Sequence, residues 1–237
     1  MKHIIILFIT IFTFPLLASE EVILVTFVSG QSYRLYNGQE VKLKRYDMLR
    51  QNDEIITRKG KVDLQIGKTG VIRISNNSHI KFTEYFENND KSRTILETER
   101  GKVFSKIVKP LNKDSKFEIH SPTHVAGVRG TEFVFSEGIS NDKKYDDSDI
   151  PAGVFVNKGK VELKSTGSNK REIAGENEQI VTSEKGMQKD ILAEFMKEKM
   201  KIFKSLKEMK EMNYQMIKEQ KLKNEKLMRS FNFNEDE

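Results

Sequence analysis

The chain of 237 residues contains no cysteine and no tryptophan, and only four prolines and four histidines. The missing cysteines exclude a disulfide framework, a thiol nucleophile, thiolate-bound zinc and the lipid-acceptor cysteine of a bacterial lipoprotein. An ordinary apolar core must therefore hold the fold, and the length suffices for one domain plus an appendage. The scarce histidines stand at His3, His79, His120 and His124. His120 and His124 are four apart, but Pro122 between them prevents a shared helix face, and no carboxylates join them at metal-ligand spacing. No G-x-S-x-G nucleophile elbow occurs. "GKTG" at Gly67–Gly70 lacks the glycine-lysine spacing and following helix of a phosphate loop, so it reads as a hairpin turn. "DDSD" lacks the glycine and terminal glutamate of a calcium hand. The expectation is a protein with no catalytic residues, no metal and no cofactor.

Long apolar runs are also missing, with one exception. Lys2 precedes an uncharged, mostly apolar run from Ile4 to Leu17, followed by the small pair Ala18-Ser19. That order of charged, apolar and small residues is a secretory signal. As a helix the run would span about 21 Å, short of a hydrocarbon core of ~30 Å. Residues 1–19 are expected to be a cleaved signal peptide, leaving an exported, periplasmic protein with no transmembrane span. The charge of +6 is spread among interleaved Lys and Glu, which marks a solvated face rather than a nucleic-acid footprint. Attraction to anionic headgroups or wall polymers is a lesser alternative.

What is present, from Glu21 to about Thr182, is short alternating apolar segments. "SYRLY", "NG" and "QEVKLK" make the clearest hairpin, with Asn37-Gly38 supplying the positive φ angles of a tight turn. "DEIIT", "KVDLQI", "VIRIS", "HIKFTEYF", "RTILETE", "KVFSKIV", "KFEIH", "TEFVF", "GVFVN", "KVELK" and "EQIVT" continue the series. The polar stretch from Ser136 to Gly153 reads as a mobile surface loop. The spacing predicts an all-β domain over residues 20–183. From Met187 to Ser230 there is no Pro or Gly, and Lys, Glu, Met and Leu dominate, so one long helix is predicted over 187–230. A disordered acidic tail, 231–237, should follow. At ~100° per residue, Ile191, Leu192, Phe195, Met196, Ile202, Phe203, Leu206, Met209 and Ile217 share one stripe. That stripe packs on the β domain, pairs as a coiled coil, or receives a foreign partner. The expectation is that a second chain covers it, either a protein partner or another copy.

The stretch "SPTHVAGVRGTEFVF", Ser121 to Phe135, resembles the signature of the FecR domain family. Pro122, Ala126, Gly127, Val128, Arg129, Gly130, Thr131, Glu132 and Phe133 fall on its hallmark: a proline-containing strand end, a small-residue turn, then "RGTEF". "NDEIIT" with Gly60, "VDLQIGKTGVIRISNNSHIKF", "LETERGKVF", "VFVNKGKVEL" and "IAGENEQI" are similar to its flanking elements, over roughly residues 30–182. The resemblance implies an extracytoplasmic, non-enzymatic domain, a twisted antiparallel β-solenoid or jelly-roll-like stack. Regulatory members of the family also carry a cytoplasmic anti-sigma region and a membrane helix, which this sequence is not expected to contain. The motif then reads as a fold determinant rather than a ligand-cradling loop. Gly127 and Gly130 answer backbone requirements, Phe133 and Phe135 point inward, Glu132 points outward, and Arg129 pairs with Glu132 or caps strand-edge carbonyls. His124 is a turn residue in this reading. The function expected is a periplasmic scaffold or binding protein with a helical interaction arm. The alternatives are a sensory module acting with a separate transmembrane partner, and a wall- or glycan-binding module.

Overall fold

Three strands much longer than the usual five or six residues organise the molecule: β1 (Ile23–Tyr36), β4 (Glu54–Ile66) and β7 (Ser92–Ile107). The computed structural model describes residues 23–87, 91–108, 115–128, 130–138 and 147–232. The expected signal segment, Arg129 and residues 233–237 of the expected tail lie outside them.

The length of these strands has a local cause. "DEIIT" and "KVDLQI" read as two strands broken at Lys59-Gly60, yet β4 runs straight through that pair. Gly60 faces Gly30 of β1, which has φ +59°, and the register shifts beside it. A Cβ on Gly60 would lie 2.3 Å from the Ser29 carbonyl oxygen. The glycines allow two backbones to touch while the paired strands bend, so they mark a corner of the sheet and not its end.

Short strands fill in around the long ones. β2 (Gln39–Lys42) returns on β1 through the expected Asn37-Gly38 turn, with Tyr36 opposite Gln39. β3 (Met48–Leu49) also pairs with β1. β5 (Gly70–Ile74) follows the "GKT" turn back along β4 and then borders β7. β6 (Ser78–Glu87) bridges β4 and β7. From β7 the order runs one way through β8 (Lys116–His120), β9 (His124–Val128), β12 (Val161–Ser165) and β13 (Arg171–Ala174). The other way it runs through β10 (Glu132–Glu137), β11 (Gly153–Lys158), β14 (Glu178–Ser183) and β15 (Gly186–Ile191). The fold is mainly β and its pairs are antiparallel, apart from β7 with β8, which run parallel.

The carboxyl end corrects the sequence reading in two ways. Met187 to Ile191 are not helical. Gly186, with φ +102°, closes a hairpin, and these residues pair with β14, leaving Ile191 73% exposed. The helical part begins at α1 (Glu194–Met200), passes an irregular turn at Lys201, and continues as α2 (Ile202–Asn232). Residues 231 and 232, assigned to the tail, belong to α2.

Two cores result. The larger lies inside the coiled sheet and includes Leu64, Phe82, Phe117, Phe133 and Phe135. The second lies on the outer face of β5, β7, β10 and β11, where Val71, Phe104, Val134 and Phe155 meet Leu192, Met196, Met200, Phe203 and Leu206. The expected second-chain cover over this part of the stripe is therefore corrected: the β domain itself covers it. Alternating residues of one strand enter different cores, so β10 and β11 are apolar on both faces.

Candidate functional site

The signature residues divide between two neighbouring structures. Pro122 sits in the tight connection between β8 and β9, where its carbonyl accepts a 2.8 Å hydrogen bond from the Thr166 hydroxyl. His124 to Val128, expected as a turn, form strand β9, with Ala126 and Val128 facing the core. Gly130 has φ +61°, the left-handed conformation that glycine adopts without steric cost. The Thr131 hydroxyl donates to the Lys160 carbonyl at 3.0 Å, and its own carbonyl accepts from the Ile107 amide at 2.9 Å. Phe133 meets Phe117 edge-on, centroids 6.4 Å apart. Glu132 is held by the Lys106 ammonium and, at 2.7 Å, by the Asn157 side-chain amide. It is half-buried rather than simply outward.

Gly127 behaves differently from Gly130, and differently from expectation. Its φ is not in the left-handed region, and a Cβ built there would meet only the Glu118 carboxylate, at 3.9 Å, among the described residues. Neither positive φ nor a close backbone approach demands glycine. It lines a groove of about 700 Å³ on the outer face of the sheet, into which no side chain projects from this position. Register sets the floor: Gly127 of β9 stands between Glu118 of β8 and Glu162 of β12. Two residues back along the flanking segments stand Lys116 and Lys160, with Arg93 of β7 beside Lys116. The groove thus carries one band of carboxylates and one of cations.

The charges in it are not equally free. The Glu118 carboxylate accepts from Lys116 at 2.8 Å and His120 at 2.7 Å. Burial alone would raise its pKa, but those two hydrogen bonds outweigh it and hold the carboxyl below its ordinary value. Arg93 pairs with Glu84 at 3.0 Å. Glu162 faces Arg171 only loosely, at 3.6 Å with both side chains half exposed. Lys160 has no carboxylate within 4.0 Å among the described residues.

A second polar cluster joins the helical segment to the sheet. Asp147, at the end of the polar loop, accepts from the Ser75 hydroxyl and lies 3.7 Å from Lys61 and 3.6 Å from Lys199 of α1. Lys199 also pairs with Asp149 at 2.9 Å, and Ile150 is buried in the second core. This end of the loop is anchored, not mobile. Burial lowers the pKa of nearby Lys102, partly opposed by Asp147 and Asp149.

Along the expected stripe, Leu192 just before α1 and Met196, Phe203 and Leu206 on the helices are buried, Ile202 and Met209 are half-buried, and Phe195 is 41% exposed. Among the described residues no group of three His, Asp or Glu could hold a metal, and no helix is long and apolar enough to cross a membrane.

Residues 53–162 match the FecR protein family. The chain carries a FecR domain. That stretch runs from the start of β4 into β12, so the signature and both bands of the groove, ending at Glu162, belong to the FecR domain. The β1–β3 layer, β13–β15 and the helices lie outside it. No curated protein is significantly similar to the chain. Two crystal structures, at 1.65 and 2.50 Å, of a candidate anti-sigma factor from Parabacteroides distasonis align with it at 20% identity and TM-score 0.45. Each alignment covers 59% of either chain, so the chain spans well under two thirds of that protein.

Proposed function

We propose that the protein is a non-enzymatic binding protein of the bacterial cell envelope, with the FecR domain as rigid body and the distal part of α2 as the arm that meets a protein partner. The observation that carries this reading is how α2 is mounted. Its first turns are fixed by Phe203, Leu206 and the buried Asn213, and by a 3.3 Å hydrogen bond from the Lys210 ammonium to the Lys68 carbonyl. The helix then continues through Asn232, about 28 Å beyond Asn213 at ~1.5 Å per residue. Met216 is exposed there, and methionine adapts to irregular partner surfaces. A helix clamped at its base and extended at its tip holds a contact surface at a set orientation.

Two truncations test this. Stopping after Asn213 keeps the clamp, so the protein should melt like the full chain while losing its crosslinked partner in whole cells. Retention of the same crosslinked species would overturn the reading. Stopping at Gly186 removes the clamp as well and should destabilise the fold. A second reading, a sensory module whose transmembrane partner is a separate protein, is favoured by the groove at Gly127, since a sensor needs a ligand site apart from its arm.

A further inference from the structure

We propose that the groove over Gly127 is a binding site for a dipolar amino-acid group, an ammonium and a carboxylate held at the two ends of an extended diamino acid such as a terminal lysine. The groove is separate from the helical arm. Its floor holds a glycine without a structural reason. In a strand interior glycine weakens the strand, and it commonly marks a place where a ligand approaches the backbone. Here the space that a side chain would fill is open except for one carboxylate oxygen at 3.9 Å.

The ligand chemistry follows from register. Glu118 and Glu162 flank Gly127 on adjacent strands, so their Cα atoms stand about 10 Å apart at ~4.8 Å per strand. An ammonium seated over the glycine lies between two carboxylates, and any side chain at position 127 would take its place. Glu118 stays ionised through its hydrogen bonds with Lys116 and His120. Two residues along the strand direction, about 6.6 Å away at ~3.3 Å per residue, stands Lys160, the cation of the groove with no carboxylate partner among the described residues. Lys160 receives the ligand carboxylate. In an extended lysine the ammonium and the α-carboxylate are separated by roughly 6–8 Å, given carbon–carbon bonds of ~1.5 Å. Ile173, 53% exposed at the rim, offers apolar contact to the methylene stem between the two charges.

The probe is the acetylated tripeptide Ala-Ala-Lys with a free carboxylate, titrated into isotope-labelled full chain and followed by amide chemical shifts. Saturable shifts at Gly127 and Gly159 are expected. Amidating the carboxylate, or replacing the terminal lysine by norleucine, should each weaken binding at least tenfold. Gly127→Val should abolish binding while the melting temperature stays at the wild-type value. Lys160→Ala should reduce the free-acid peptide to the affinity of the amide and leave the amide's own affinity unchanged. Free lysine serves as the second arm: equal binding points to a small-molecule ligand, and much weaker binding to a peptide terminus, both within the proposal. Absence of shifts at millimolar peptide, binding indifferent to either charge, or undiminished binding by Gly127→Val would overturn it. Should Gly127→Val fail to fold, Lys160→Ala and Glu162→Gln decide the question.

Discussion

Gly127 and Gly130 stand three residues apart in one motif and answer to different demands. Gly130 needs its left-handed φ, so Gly130→Val should cost about 1–3 kcal/mol of stability, the usual strain of a side chain in that region. Gly127→Val places a β-branched residue in ordinary strand geometry with open space before it, and calorimetry should show stability equal to or slightly above wild type. Composition shows two glycines; only geometry tells them apart. Glu118 supplies a pH test. Its pKa is lower in the folded than in the unfolded protein, because Lys116 and His120 outweigh burial. Its stabilisation is thus complete above the ordinary carboxylate value and lost as pH falls through the folded value. Stability measured from pH 6 to pH 3 should fall less steeply in Glu118→Gln than in wild type.

At the scale of elements, the doubly apolar strands explain the docked helix. β10 sends Phe133 and Phe135 to the inner core and Val134 outward, and β11 sends Val154 and Val156 inward and Phe155 outward. "EFVF" and "GVFV" carried this signal in the sequence, since a strand with one solvated face would alternate with polar residues. Leu206→Ala should cost about 2–5 kcal/mol in chemical denaturation, the range for a fully buried leucine. The hairpin at Asn37-Gly38, the strand series and the switch to helical composition were all legible, because turn chemistry and periodicity are local. The long strands were not. Glycine pairs such as Gly30 and Gly60 read as breaks, and only their mutual contact across two strands shows them to be corners. β15 was hidden because "MQKDI" has no strong alternation; it forms to cover the edge of β14. The groove was invisible for a related reason: Glu118, Gly127 and Glu162 are brought side by side by register, and nothing in their spacing along the chain announces it.

For the whole molecule, the Asp147 cluster links parts remote in sequence: the segment just after β5 through Ser75, β4 through Lys61 and α1 through Lys199. Asp147→Ala should leave two cations without this partner and loosen the helical base. Hydrogen exchange should quicken across residues 194–206 and stay unchanged in the β1–β2 hairpin. Uniform quickening would show that the cluster supports the sheet rather than the helix mounting.

The second core also has a temporal side. The outer face formed by Val71, Phe104, Val134 and Phe155 is complete once β11 has paired, yet the residues that shield it, Leu192 to Leu206, come later in the chain. A polypeptide emerging amino end first therefore passes through an interval in which a finished sheet shows a greasy flank to its surroundings, and such flanks invite aggregation. Maturation ends when the last segment to emerge closes over that flank. Whatever accompanies the chain as it folds has something to hold until then.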